Sequence, residues 1–278
     1  MLPPIANRFV AGETAAEALE RAMGIHSAGR RVILNLLGEH YSDTHSVQRD
    51  TQEYRDLISD ISKHELAGAI SVKPTQLGLD IDEALFREQV TTIVDTGKAH
   101  DVFVWIDMEG AGTTEATISM FEDMTERYPG GVGVCLQSNL RRTKQDIERL
   151  ADIPGKIRLV KGAYREPAEI AYREKDRVNE RYKADLTSLF QLRDRGIAVA
   201  SHDPEMIAKA EQLHAVHGSH FEFQFLLGIQ TEMQQALATR HPTYTYIPYG
   251  PRWLSYFSRR MLERTENLKF AARAILGT

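Results

Sequence analysis

The feature that most restricts how this chain can fold is an alternation, repeated eight times, of a short apolar run with a longer stretch of helical periodicity. The runs are Arg31 to Leu37, Ala69 to Lys73, Val102 to Asp107, Val132 to Gln137, Ile157 to Val160, Ile197 to His202, Phe221 to Phe225 and Tyr244 to Ile247, the last expected to stop at Pro248. Between them lie helical patterns near Val47 to His64, Asp82 to His100, Thr114 to Tyr128, Thr143 to Leu150, Ala168 to Arg195, Pro204 to His217 and Thr231 to Thr239, and an eighth follows Pro251. Near-continuous apolarity is what strands covered on both faces require, and helical crossovers allow such strands to pair in parallel. Eight such units in 278 residues predict an α/β fold of the closed (βα)8, TIM-like kind. An open doubly wound sheet is disfavoured, because no run is followed by a GxGxxG or GxxxxGKS/T phosphate loop. Thr14 to Ala28 reads as a helix with Thr14 as N-cap and Gly29 as its stop. The whole is read as one domain, 1–278, in which 1–30 form a helical N-terminal extension.

Composition removes several classes of function. A net charge of -5 with dispersed basic residues gives no electrostatic footprint for nucleic acid. Cys135 is the one cysteine, which excludes an intrachain disulfide, and its place inside an apolar run makes it packing rather than a nucleophile. Met1 to Val10 lacks the apolar stretch of a signal peptide, and nowhere do eighteen apolar residues follow one another. The expected location is cytoplasmic, with at most peripheral contact at the inner face of a membrane. The histidines form no HxH or HExxH pattern, so no metal is expected. Asp107 and Glu109 are read as alternating across a strand end, so that the two are not expected to face the barrel interior together.

If the fold is a barrel, its active site comes from the C-terminal strand ends and the loops that follow them. Those positions are polar: Glu39 after the first run, Lys73-Pro-Thr-Gln76 after the second, Asp107 and Glu109 at the third, and Gln137 at the fourth. Arg158 and Lys161 to Tyr164 come from the fifth, Ser201-His202-Asp203 from the sixth, Glu222 and Gln224 from the seventh, and Tyr246 from the eighth. Buried charges left unpaired cost several kcal/mol each, so a convergent ring of them points to an anionic or zwitterionic ligand beside a polar cofactor. After Pro251, Tyr256, Arg259, Arg260 and Glu263 recur at helical spacing and share one face, with two guanidiniums able to fork onto a carboxylate.

These residues stand in motifs that resemble the proline dehydrogenase family. The motifs are LGE at Leu37 to Glu39, SVKPTQLGL at Ser71 to Leu79, IDME at Ile106 to Glu109, LQ at Leu136 and Gln137, RLVKGAY at Arg158 to Tyr164, EFQ at Glu222 to Gln224, and YxPYG followed by WxxYxxRRxxE. They run from about Arg31 to Asn267 in the family's order. The resemblance implies a (βα)8 barrel distorted at its last helix, noncovalent FAD, and oxidation of L-proline to Δ1-pyrroline-5-carboxylate by hydride transfer to flavin N5. It implies Arg259, Arg260 and Lys73 as the carboxylate clamp, with Asp107 orienting that group and Glu263 in support. Tyr164, Leu226, Tyr246 and Tyr256 would wall the pyrrolidine ring, and Glu39 would pair with Arg259 as a gate. Arg158 would donate near flavin N5. Met108, Cys135, Gln137, Lys161, Gly162, Ala163, Tyr164, Ser201, His202, Gln224 and Glu263 match cofactor-contacting positions. A quinone acceptor, transient membrane contact and a separate pyrroline-5-carboxylate dehydrogenase downstream are also implied, since this length holds no aldehyde dehydrogenase domain. Two positions depart from the family: Ser201 stands where threonine is common, and Arg165 where larger bifunctional relatives carry tryptophan.

Two other readings of the same residues stay open on sequence. One is a Schiff-base lyase or aldolase barrel using Lys73 or Lys161, because lysines at barrel strand ends serve that chemistry. The other is a barrel that binds without catalysing.

Overall fold

The eight apolar runs form eight parallel strands in the computed structural model, which describes residue 3 and residues 6–258. In chain order they are β1 (Arg31–Leu36), β2 (Gly68–Val72), β3 (Phe103–Ile106), β4 (Val132–Gln137), β5 (Lys156–Val160), β6 (Ile197–Val199), β7 (Phe221–Leu226) and β8 (Thr243–Tyr249). Each pairs with its sequence neighbours, and β8 returns to β1 with Arg31 opposite Tyr244, so the sheet closes. The crossovers are α2 (Thr44–Lys63), α3 (Glu83–His100), α4 (Thr114–Arg127), α5 (Thr143–Arg149), α6 (Lys175–Leu192), α7 (Pro204–His217) and α8 (Thr231–Ala238). Their apolar faces and the outward faces of the strands form one continuous buried shell. A further helix begins at residue 253.

α1 (Ala15–Ser27) starts on a reciprocal capping box, in which Thr14 Oγ1 accepts from the Glu17 amide and the Glu17 carboxylate accepts from the Thr14 amide. It packs on β1 and β8, covering the seam where the barrel closes. The N-terminal strap ahead of it crosses the top of β8. Ala11 N–H donates to Pro248 O, and Gly250 N–H to Gly12 O.

Inside the barrel, Ile33, Ala69, Trp105, Ala198 and Tyr244 form a second buried cluster, flanked by Phe103 and Tyr246. Trp105 occupies the space over Gly133, where an added Cβ would lie 2.5 Å from the indole, so this strand position has to be glycine. These rings fill much of the lower interior, where Lys156 Nζ lies 4.8 Å from the centre of the Phe103 ring.

Two expectations are corrected. Pro248 does not stop the last strand; β8 runs on to Tyr249. β7 has already ended opposite Tyr246, and Pro248 faces the N-terminal strap on that side, so its missing N–H breaks no ladder bond. The helix expected from Ala168 begins only at Lys175. Residues 168–174 are instead held as a loop by an antiparallel bridge between Leu140 and Ala171 and by Tyr172 N–H donating to Asn139 O.

Candidate active site

Side chains two residues apart on a strand share a face, so β2 turns Ala69, Ser71 and Lys73 inward, β3 Trp105 and then Asp107, and β5 Lys156 and Arg158. These positions meet at Asp107. Its Oδ1 accepts from Ser71 Oγ at 2.7 Å and from Arg158 Nη1 at 2.5 Å. Its Oδ2 accepts from the Tyr246 hydroxyl at 2.7 Å and from Lys73 Nζ at 3.3 Å. A carboxylate offers about four lone-pair sites, and all four are taken. Burial works to raise the Asp107 carboxyl, yet Lys73 and Arg158 together hold it below the ordinary carboxylate range. Burial likewise works to lower the Lys73 ammonium, and Asp107 and Glu109 more than offset it, so its pKa stands above the ordinary lysine value. Both partners are therefore charged throughout the neutral range.

Arg158 is 4% exposed, with its guanidinium 4.3 Å from the Trp105 ring and 5.5 Å from the Tyr246 ring. Its Nε donates to Gln224 Oε1 at 2.5 Å, Gln224 Nε2 donates to Glu222 Oε1 at 2.7 Å, and Lys156 Nζ donates to Glu222 Oε2 at 2.5 Å. A hydrogen-bonded line thus runs down the barrel interior. It also corrects one expectation: Glu222 does not belong to the ring at the C-terminal mouth. It is the second residue of β7 and pairs with the first residue of β5, at the N-terminal end of the barrel. Arg158 Nη2 is buried and has no hydrogen-bond partner among the described residues.

Glu109 lies past the end of β3 and is turned away from Asp107. It accepts from Thr75 N–H at 2.7 Å and Thr75 Oγ1 at 2.8 Å, fixing the turn that carries Lys73. The two acids do not share the interior, but strand alternation is not the reason, since residues two apart share a face; the chain has left the strand at Ile106. Gln137 Nε2 donates to Glu109 O at 2.8 Å and is 3% exposed.

The remaining candidates lie on the loops after β4, β5, β6 and β7. Lys161 Nζ reaches Asp203 Oδ2 and Asn179 Oδ1, each at 2.6 Å. Gly162 has φ +108, and a Cβ there would lie 2.0 Å from Asn139 Oδ1, so only glycine passes this point. Asn139 also links to the Tyr164 carbonyl. Ala163 is exposed, while Tyr164 is partly buried and its phenol is pushed up to about 12 by burial. Ser201 is buried and its Oγ accepts from Asp203 N–H. Leu226 N–H donates to His202 Nε2 at 3.0 Å, which leaves the ring proton of the neutral imidazole on Nδ1. Met108 and Cys135 are buried, and burial pushes the Cys135 thiol up to about 11, so it stays protonated and unreactive.

On the opposite side of the mouth, Glu39 and Lys73 line a cavity of about 100 Å³ with Leu37, Gly38, Arg252 and Ser255. Tyr256, on the helix beyond β8, packs with Trp253 and Phe257 against Ala6, Val10 and Leu37. Arg259, Arg260 and Glu263, and with them the Glu39 to Arg259 pair, lie outside the described residues. Among the described residues, no three His, Cys, Asp or Glu side chains are placed to hold a metal ion, and no helix is long and apolar enough to cross a membrane. Sequence reading missed Ser71 as a partner of Asp107, although counting back by two from Lys73 finds it. It gave no signal for Asn139 or Arg252, whose places depend on contacts between loops.

A closed parallel barrel with a charge-paired, buried cluster near its C-terminal mouth belongs to the class of barrel enzymes. The sequence profile of the proline dehydrogenase family matches residues 18–273. The chain is 35% identical over 275 residues to proline dehydrogenase 1 of Bacillus subtilis strain 168, covering 98% of this chain and 90% of that one. It is 33% identical over 285 residues to the proline dehydrogenase of Deinococcus radiodurans, with the same coverage of each. In fold it is similar to proline utilization A from Bdellovibrio bacteriovorus inactivated by N-propargylglycine, with a TM-score of 0.85 at 22% identity over 94% of this chain. It spans 32% of that longer protein. The chain belongs to the proline dehydrogenase family.

Proposed function

We propose that this chain, as a single domain over residues 1–278, oxidises L-proline to Δ1-pyrroline-5-carboxylate with FAD as its cofactor, the first step of proline breakdown. The observation that carries the reading is Asp107, whose four acceptor sites are filled by Ser71, Arg158, Tyr246 and Lys73. It fixes a guanidinium and an ammonium side by side as permanent charges, and neither is free to act as a nucleophile. This argues against a Schiff base at Lys73, because that chemistry needs a neutral amine and this lysine's pKa is raised. Lys161 is likewise held between Asp203 and Asn179.

The residues fit a flavin in one specific respect: Arg158 Nη2 is a buried donor without a partner among the described residues, as a site for an electron-rich ring would require. Arg158, Met108, Cys135, Gln137, Lys161, Gly162, Ala163, Tyr164, Ser201, His202 and Gln224, with Glu263, would hold FAD. Bound there, the flavin would supply the hydride acceptor, its N5. The protein's part is orientation and charge. Arg259, Arg260 and Lys73 bind the substrate carboxylate, and Tyr164, Leu226, Tyr246 and Tyr256 confine the ring so that the carbon next to nitrogen is the one presented. Glu39 with Arg259 gates the entrance. The amine must be neutral before hydride leaves. Asp107 is not its base, since it has no lone pair left over, so the proton passes to solvent as the substrate binds. Electrons go on to a quinone, reached by transient contact of this cytoplasmic protein with the membrane. A separate pyrroline-5-carboxylate dehydrogenase consumes the product.

Deuterated substrates test the reaction directly. Proline deuterated at C5, the ring carbon bonded to nitrogen and not to the carboxylate, should show a primary isotope effect on anaerobic flavin reduction, whereas C2-deuterated proline should show none. The reverse pattern, or no reduction by either, would defeat the assignment.

A further inference from the structure

The small cavity over Lys73 has an outer wall that nothing in the catalytic assignment uses. Arg252 lies in the turn between β8 and the helix carrying Tyr256, and its guanidinium stacks 4.3 Å from the centre of the Tyr41 ring. Among the described residues no carboxylate lies within ion-pair distance of it, so its charge faces the cavity it lines with Glu39, Lys73 and Ser255.

Tyr41 is an anchored platform. It is 3% exposed, and its hydroxyl donates to Asp50 Oδ2 at 2.5 Å. Asp50 is itself held by Gln76 Nε2 at 2.9 Å and by the Arg49 guanidinium at 2.7 Å. The backbone on either side is tied to the turn after Lys73: His40 N–H donates to Thr75 Oγ1 at 2.9 Å and Tyr41 N–H to Thr75 O at 3.1 Å. Thr75 is in turn fixed by Glu109. The loop that carries Glu39 is therefore tied through His40 and Tyr41 to the turn after β2. The turn after β8 meets that platform through Arg252.

We propose that Arg252, stacked on Tyr41, is a further positioning residue for the substrate, joining the Glu39 loop to the start of the last helix and closing the outer wall of the carboxylate chamber. A cation over an aromatic face is held weakly when exposed and more firmly as solvent is excluded, which suits a contact that must hold closed and still release. A guanidinium lining the entrance also adds to the field that draws in a carboxylate. The inference rests on the proline reading of the same site.

The test uses the FAD-loaded enzyme with L-proline. Arg252→Gln should raise KM at least fivefold while kcat and flavin content change by less than twofold. Arg252→Lys, which keeps a cation over the ring, should recover most of that loss. Tyr41→Leu should raise KM similarly, and the double variant should be no worse than the poorer single, because both remove one contact. A KM within twofold of wild type for Arg252→Gln overturns the proposal, as does a lysine variant no better than the glutamine one. Multiplied losses in the double variant also overturn it. If Tyr41→Leu does not fold, the two Arg252 variants still decide. Failure of wild type to oxidise proline would instead overturn the functional reading, and is seen before any variant is made.

Discussion

Replacing Asp107 by asparagine isolates what the central carboxylate does. The substitution keeps the size and two acceptor lone pairs but puts an NH2 group where either Ser71 and Arg158 or Tyr246 and Lys73 now donate. Whichever way the amide turns, one cationic donor, Arg158 or Lys73, meets a donor, while the hydroxyl beside it can turn to accept. Lys73 and Arg158, with side chains 16% and 5% exposed, are left without the counter-charge they share. Breaking a buried ion pair by removing one partner costs about 3–5 kcal/mol. For a domain near this size each kcal/mol moves Tm by roughly 2–4 °C, so Asp107→Asn should melt roughly 6–20 °C lower. The measurement is thermal unfolding followed by circular dichroism, without substrate, at pH 7.5 and low salt. Added sulfate should recover more stability for the variant than for wild type, because an anion can stand in for the lost charge. The pH arm has a definite sign. The folded pKa of Asp107 is lowered, so its contribution is present above the unfolded value near 3.9 and disappears as pH falls through the folded value. The two melting curves should therefore converge in acid. A loss below about 2 °C at pH 7.5 would refute the view that Asp107 holds two buried cations in place.

Two further outcomes follow from other buried charges. Asp185 on α6 is 1% exposed and bonded to Arg181 at 2.8 Å, and burial pushes it up to about 6 against the opposing pull of Arg181 and Ser138. Because this pKa is raised on folding, the stability it contributes is full below about 4 and is lost as pH rises through about 6, a change of roughly 2–3 kcal/mol. Asp185→Asn should remove that decline, and parallel Tm profiles for the two proteins between pH 4 and 8 would contradict it. In catalysis, Asp107 is lowered, Lys73 is raised, and Tyr164 stands at about 12, so none of the three titrates between pH 6 and 9. Anaerobic flavin reduction should still rise with pH through a single group, the amine of bound proline; a pH-independent rate would show that the amine does not need to lose its proton first.

How much of this was legible in the sequence depends on what kind of contact carried each feature. Barrel closure was legible because eight apolar runs alternate with helical stretches, and each run found as a strand agrees with its element to within a few residues. Lys73, Asp107, Arg158 and Tyr246 were legible as strand-end polar residues, and the structure brings them into hydrogen-bonding contact. Glu222 was misplaced for a physical reason. Glu222 and Gln224 are two apart on one short strand, so both point inward, and the pattern does not tell which end of the barrel each reaches. Pro248 was read as a strand breaker because a missing N–H matters only on the side where a neighbour still pairs, and that depends on where β7 ends. The Glu109 to Thr75 bonds, the passage of Asn139 beside Gly162 and the Arg252 to Tyr41 stack join loops far apart in sequence. No local spacing encodes them.

The central claim is that the charges around Asp107 serve flavin-dependent oxidation of proline. Its most direct test is the visible spectrum of the purified protein, supplemented with FAD, before and after anaerobic addition of L-proline. The account predicts flavin absorbance that bleaches with L-proline and is retained when the only amino acid added is D-proline, whose ring and carboxylate cannot be held together in the same orientation. A colourless protein that takes up no FAD, or a bound flavin that L-proline leaves oxidised, would contradict it.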